Sequence, residues 1–389
     1  MRIVFATSNL FIPTDLARKY ADVEIIGAMP SFSATISVVR DTADGTSPVE
    51  VAVLEARLAS AIDTEAKMSL SKAIADLRTI NPDLRIVVST PSPMTAADFG
   101  GQEVDVLVEI EQRRAAANLA THLLLSPIED VARIFTIASL QGGAGRTYIA
   151  KNLAATLVGG LREQVQEGRG GVLLWELDLH HPSLGFTTGF SPATLDNGRR
   201  TIAGLLNAET LSLEGSVDAV MSKVLPFIIP MNENPIGCDL LLAPHGLREI
   251  MAVYQAYPDL PELQRRLSRI LDILSRYYKV IVIDTGYDLL TDPGATLAIA
   301  RADVLVGVVA PGPAGLSAAT GLSIIISDMS LGQKTQIILN TGVQNEQSYV
   351  PFMKEVFNKT PMAEPILLGA APRQEFWIAV ADRLGKMRR

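Results

Sequence analysis

The chain has 389 residues, of which 48% are hydrophobic and 20% charged, and its formal net charge is −8. That length exceeds one ordinary core and predicts two domains, while the composition excludes a disordered chain. The acidity speaks against a non-specific nucleic-acid binder, the single cysteine, Cys238, excludes an internal disulfide and reads as a buried small hydrophobe, and no apolar run reaches the roughly 18 residues of a membrane helix.

The opening MRIVFATSN reads as a strand rather than a signal peptide, which predicts a cytoplasmic protein. Within residues 1–128, short β-branched runs occur at Ile3–Ala6, Val23–Gly27, Val49–Leu54, Leu84–Ser89 and Val104–Val108. Longer segments lie between them, and Leu58–Ile80 has helical spacing. The alternation predicts a parallel sheet covered on both faces. It resembles the flavodoxin-like, doubly wound receiver domain of response regulators. The resemblance implies magnesium-binding acids after the first strand, a phospho-acceptor after the third and a lysine after the fifth. Thr7-Ser8-Asn9, Glu55 and Glu109–Glu111 stand at those places, and only Ser89-Thr90 match, at the switch hydroxyl. The expectation is a pseudo-receiver that packs, dimerises or docks, with Glu55 an ordinary strand-end carboxylate.

Proline and acids in Ser126–Val131 mark a join, giving domains 1–128 and 129–389. The second opens with Phe135–Lys151, FTIASLQGGAGRTYIAK. A β-forming run enters Gly142, Gly143 and Gly145, and from Thr147 apolar residues (Tyr148, Ile149, Leu153, Leu157) recur at helical spacing. A strand, glycine turn and helix in that order aim backbone N–H groups at one spot beside a helix N-terminus, which suits a polyphosphate. The Thr147 hydroxyl falls where a phosphate loop places its magnesium ligand. The alternative is a glycine turn with no ligand.

Val172–Leu179 reads as a strand carrying Asp178, either a catalytic carboxylate or a cap on the strand end. His180 and His181, if extended, face opposite sides, which argues against a metal pair. Val280–Gly286 is a buried strand closing on Asp284, in the manner of a Walker B aspartate that holds magnesium through water opposite Thr147. Asp303–Pro311 and Thr335–Asn340 add core strands. In the tail, Gln374–Arg389, Phe376, Trp377, Val380, Leu384 and Met387 recur among basic residues. Such a face suits peripheral contact with a membrane or the domain's own core, and Gly385 weakens the helix.

The loop departs from G-x-x-x-x-G-K-[ST], with Leu140 and Arg146 in place of glycine and lysine. Gln141-Gly142-Gly143-Ala144-Gly145-Arg146-Thr147 resembles the deviant loop of the ParA/MinD family, K-G-G-x-G-K-[ST], without either lysine. The resemblance implies a P-loop NTPase fold with ATP and Mg²⁺ as ligands. Gln141, Gly142, Gly143, Ala144, Gly145, Arg146, Thr147 and Tyr148 then line the nucleotide, and Thr147 and Asp284 serve the metal. Asp178 lies near the attacking water, and Asn340 either contacts adenine or simply forms the turn before Gly342. A homodimer facing through these loops is also implied, with the first family lysine crossing to the partner's nucleotide. Gln141 offers only a neutral group there. Arg146 keeps the charge but is bulky and rigid, fit to fill part of its own pocket, so hydrolysis is expected to be weak or lost.

Two further segments, Arg200–Leu206 (RTIAGLL) within the stretch after Pro182 and Cys238–Pro244 (CDLLLAP), are similar to the TadZ/CpaE branch of that family. This branch joins a pseudo-receiver to a deviant P-loop domain. It implies a cytoplasmic localisation and assembly factor for type IV (Tad/Flp) pilus machinery, at a cell pole or the inner face of the membrane, with pilus secretion and assembly proteins as partners. The alternative is an active ATPase in DNA partition, cell division or polar positioning. The missing lysines and the acidity favour the scaffold.

Overall fold

The computed structural model describes residues 1–7, 12–13, 16, 20, 23–43, 48–56, 58, 69–90, 99, 104–108, 131–161, 170–190, 200–206, 217–289, 291–329, 331–342, 347–358, 362, 364–369 and 372–387. Two compact units emerge, Met1–Glu129 and Asp130–Arg389.

The first unit holds β1 (Arg2–Ala6), β2 (Glu24–Met29), α1 (Phe32–Ala43), β3 (Val51–Glu55), α2 (Leu70–Ile80), β4 (Arg85–Thr90) and β5 (Asp105–Val108). Its sheet runs β2-β1-β3-β4-β5 with every pair parallel, one of the two common doubly wound orders. Strand alternation divides the apolar residues between two faces. Val4, Ala52, Leu54, Ile86 and Val88 pack with α1 and α2, while Ile3, Phe5, Val51, Val53 and Val87 pack with Leu16 on the other side. The α2 helix begins later than the pattern from Leu58 suggested. Ser69 caps it, its Oγ accepting the Lys72 N–H at 3.2 Å. Residues 59–68, like Ser8, Asn9 and Glu109–Glu111, lie outside the described residues. At the carboxyl edge, Thr7 Oγ1 donates to Glu55 Oε2 at 2.7 Å, and Ser89 and Thr90 are buried.

The second unit contains β6 (Arg133–Ala138), α3 (Arg146–Leu161), β7 (Gly170–Leu177), α4 (Leu184–Thr187), α5 (Ile202–Leu206), α6 (Val217–Val224), β8 (Asp239–Leu241), α7 (Leu247–Ala256), α8 (Leu260–Tyr277) and β9 (Tyr278–Thr285). It continues through α9 (Pro293–Arg301), β10 (Val304–Val309), α10 (Pro313–Asp328), β11 (Thr335–Asn340), α11 (Val350–Asn358), β12 (Ile366–Leu368) and α12 (Gln374–Lys386). The strands form one parallel sheet in the order β12-β11-β10-β6-β9-β7-β8. Continuous apolar runs are what a sheet buried on both faces requires. One face packs on α5 to α9, the other on α3 and α12. The chain leaves β6 toward β9, β7 and β8 on one side and toward β10, β11 and β12 on the other, so a crevice opens at the carboxyl end of β6.

Of the two partners expected for the tail's apolar stripe, the domain's own core is the one it packs on. Trp377, Val380 and Leu384 are buried in the same cluster as α3, and the Tyr148 and Trp377 rings meet edge-on at 5.9 Å. Arg133 holds the last turn by donating to the carbonyls of Leu384, Gly385 and Met387, and the helix runs through Gly385. The apolar face of α12 is therefore used within its own unit; Arg388 and Arg389 lie outside the described residues. Among the described residues no helix is long and apolar enough to cross a membrane.

Candidate functional site

The carboxyl edge of the second sheet gathers Gln141–Tyr148 after β6, Asp178 after β7, Asp284 near the end of β9 and Asn340 at the end of β11. Gly143 and Gly145 adopt φ of 73° and 93°, left-handed conformations that a side chain would strain, and they turn the chain from β6 into α3. The first N–H groups of α3, from Arg146 to Tyr148, have no partner within the helix. Free N–H groups at the N-terminus of a sixteen-residue helix are the arrangement that suits an anion.

Two residues of this loop are engaged elsewhere in the unit. Gln141, expected to face outward where the family's lysine crosses to a partner, is 8% exposed and its Oε1 accepts the Ala310 N–H at 3.0 Å. The neighbouring β10 end needs an acceptor and the glutamine supplies it. Arg146 donates to the Thr285 carbonyl and places Nη2 3.7 Å from Asp178 Oδ2. Its charge neutralises carboxylates of this unit, as a cation filling its own pocket does. Ala144 is buried, and its carbonyl accepts from Asn340 Nδ2 at 2.9 Å while Asn340 Oδ1 accepts the Gly342 N–H at 3.2 Å. Both ends of that amide are engaged by backbone, so Asn340 ties β11 to the loop. Tyr148 is 46% exposed at the rim.

Asp178 follows β7, which ends at Leu177. Its Oδ1 accepts the N–H of His180 at 3.2 Å and of His181 at 2.8 Å, so these histidines belong to a turn and not to an extended strand. A Cβ on Gly286 would come 3.1 Å from Asp178 Oδ1, so glycine is what lets the β9 end close on that carboxylate. The His180 ring leads elsewhere, with Nδ1 3.1 Å from Asp292 Oδ2 and Nε2 2.9 Å from the Tyr254 hydroxyl. Asp292 caps α9 through the Ala295 N–H, and burial raises its pKa.

Asp284 is 2% exposed, and burial pushes its pKa up to about 6, against the pull of Arg146 and of the Thr147 hydroxyl. Its Oδ1 is buried without a hydrogen-bond partner. An orphaned carboxylate oxygen beside a threonine hydroxyl is the hard oxygen set that magnesium takes, with water completing its shell. Among the described residues no group of three His, Cys, Asp or Glu is placed to hold a metal, and Thr147 and Asp284 offer two oxygens.

Glu176 escaped the sequence reading as a site residue. It stands opposite Asp284 across the β7–β9 ladder, 1% exposed, and burial pushes its pKa up to about 7, aided by the Asp284 charge. Its Oε1 accepts the N–H groups of Ser183 at 2.6 Å and Leu184 at 2.5 Å, and Oε2 accepts that of Ala243 at 3.2 Å. The available signal was a charged residue inside the otherwise apolar VLLWEL, since a buried carboxylate must find donors.

No protein-family profile matches the chain, and no curated protein matches it. Among solved structures it is similar to a ParA family ATPase from Chlorobium tepidum TLS at 20% identity, over 67% of this chain and 91% of that one, with a TM-score of 0.43. It is also similar to a cobyrinic acid a,c-diamide synthase from Mycobacterium smegmatis with bound ATP analog and magnesium, at 17% identity over 66% and 98% of the chains and a TM-score of 0.44. The cell division ATPase MinD of Pyrococcus furiosus is 18% identical over 64% and 88% of the chains, with a TM-score of 0.42. At these identities and scores, none of them says what this chain binds or does.

Proposed function

We propose that residues 130–389 bind ATP with magnesium and turn it over very slowly, and that the chain is a TadZ/CpaE-type localisation and assembly factor for pilus machinery. The free N–H groups at the start of α3 support a triphosphate, and Thr147 with Asp284 supports the metal, which supplies positive charge to the phosphates when bound. The observation that carries weak hydrolysis is the side chain of Arg146, bonded to the Thr285 carbonyl and paired with Asp178. A cation so engaged is withdrawn from the phosphates and occupies the carboxylate that an attacking water would need. A cycling partition or division ATPase needs that charge on the nucleotide.

In this reading residues 1–129 are a receiver-like docking unit that is not phosphorylated, Glu55 being held by Thr7. The chain works as a homodimer that recruits pilus secretion and assembly proteins. Thermal unfolding with and without ATP and MgCl₂ tests the nucleotide reading: a midpoint raised by the pair together is expected, and an unmoved midpoint at millimolar ATP contradicts it.

A further inference from the structure

A run of hydrogen bonds reaches the phosphate loop from β7. Glu176 takes the N–H groups of Ser183 and Leu184 at the start of the short helix α4, and the Ser183 hydroxyl reaches outward from that turn. Ser183 Oγ lies 2.8 Å from Thr147 Oγ1. A second tie, Lys151 Nζ to the Thr187 carbonyl at 3.1 Å, holds the far end of α4 to α3. The segment is thus fastened across the first turns of α3 at both ends, with its depth set by Glu176 through the strand beneath.

A hydroxyl has one proton and two lone pairs. Thr147 Oγ1 and Ser183 Oγ share one hydrogen bond, in which either hydroxyl can donate. Whichever of the two donates, the pair fixes the Thr147 hydroxyl and leaves it a lone pair to offer. That lone pair lies at the same sheet edge as the unpartnered Asp284 Oδ1. We propose that Ser183 is a positioning residue for magnesium, its hydroxyl fixing the direction in which Thr147 offers its remaining lone pair, and that Glu176 sets Ser183 in place through its backbone N–H. The role rests on the proposed ATP site and adds to it two residues that no phosphate-loop pattern contains.

Calorimetry of ATP binding in MgCl₂ and in EDTA, on the full chain and on Ser183→Ala and Ser183→Thr, tests this. The gain in affinity that magnesium confers should fall about tenfold in Ser183→Ala, the scale seen when a group orienting a metal ligand is removed. Affinity in EDTA should stay the same, and Ser183→Thr, which keeps a hydroxyl at a helix-capping position, should restore the gain. Equal losses in MgCl₂ and EDTA mean a merely structural residue and overturn the proposal, as does an unchanged magnesium gain. If the unsubstituted chain binds no ATP, the ATP reading itself falls and takes this one with it. Binding with a gain that survives in Ser183→Ala overturns the role of Ser183 alone.

Discussion

Arg146 bends back from the phosphate loop to stand 3.7 Å from Asp178, both side chains nearly buried, while its other nitrogen reaches the Thr285 carbonyl. The charge that the loop's pattern reserves for phosphate is thereby spent on the protein's own carboxylate.

Removing Arg146 should therefore destabilise the ligand-free second unit. Arg146→Ala leaves Asp178 buried without its partner, at a cost of about 3 kcal/mol. Arg146→Ala with Asp178→Asn should lose less than the sum of the single changes, because the second removes the charge that the first strands. Denaturant unfolding of the three variants measures the coupling; strict additivity would show that the two side chains do not interact.

Glu176 makes stability fall with pH where most acids make it rise. Burial holds its pKa at about 7 against 4.5 in the unfolded chain, so between those values the native state binds more protons than the unfolded one. The stabilisation is complete below pH 4.5 and lost as pH rises through 7, by up to about 3 kcal/mol for a shift of this size. Glu176→Gln cannot titrate. Whatever its deficit at pH 4.5, it should gain on the unsubstituted chain by that amount by pH 8, and parallel stability–pH curves would contradict the assignment. Asp284, raised to about 6, acts in the same direction in both proteins.

Gln141 is engaged by Ala310 within its own unit and lacks the charge of the family's lysine, so the proposed dimer should not depend on ATP through it. Sedimentation should accordingly find a dimer with and without ATP. A monomer in both conditions rejects the dimer, and a strictly ATP-driven dimer rejects the reading of Gln141.

The first unit should not accept phosphate from acetyl phosphate. Glu55 ends β3 where a receiver's acceptor would stand, but it takes the Thr7 hydroxyl at 2.7 Å. Mass spectrometry finding an acid-labile phosphate on Glu55 or its neighbours would reverse this.

The strands were legible because a parallel sheet buried on both faces leaves runs rich in β-branched residues such as VIVIDT and TQIILN, and Thr335–Asn340 coincides with β11 to the residue. The strand, glycine turn and helix of Arg133–Leu161 were legible for the same local reason, since such a turn is written in consecutive residues. Where side chains point was not. Gln141 answers to Ala310 and Arg146 to Thr285, partners more than a hundred positions away that no local pattern encodes. Ser183 was missed likewise, because its contact to Thr147 exists only once β7 has been laid beside β9. The tail shows a different limit: one apolar stripe fits lipid or core equally, and only the packing of Trp377 against the α3 cluster decides between them.

Steady-state phosphate release from ATP and MgCl₂, with Arg146→Lys alongside, tests the central claim most directly. A lysine is slim enough to leave Asp178 for the phosphates, so the variant should turn ATP over several-fold faster than the unsubstituted chain, which should stay far below about one per second. Release by the unsubstituted chain at or above that rate, with Arg146→Lys no faster, would contradict it.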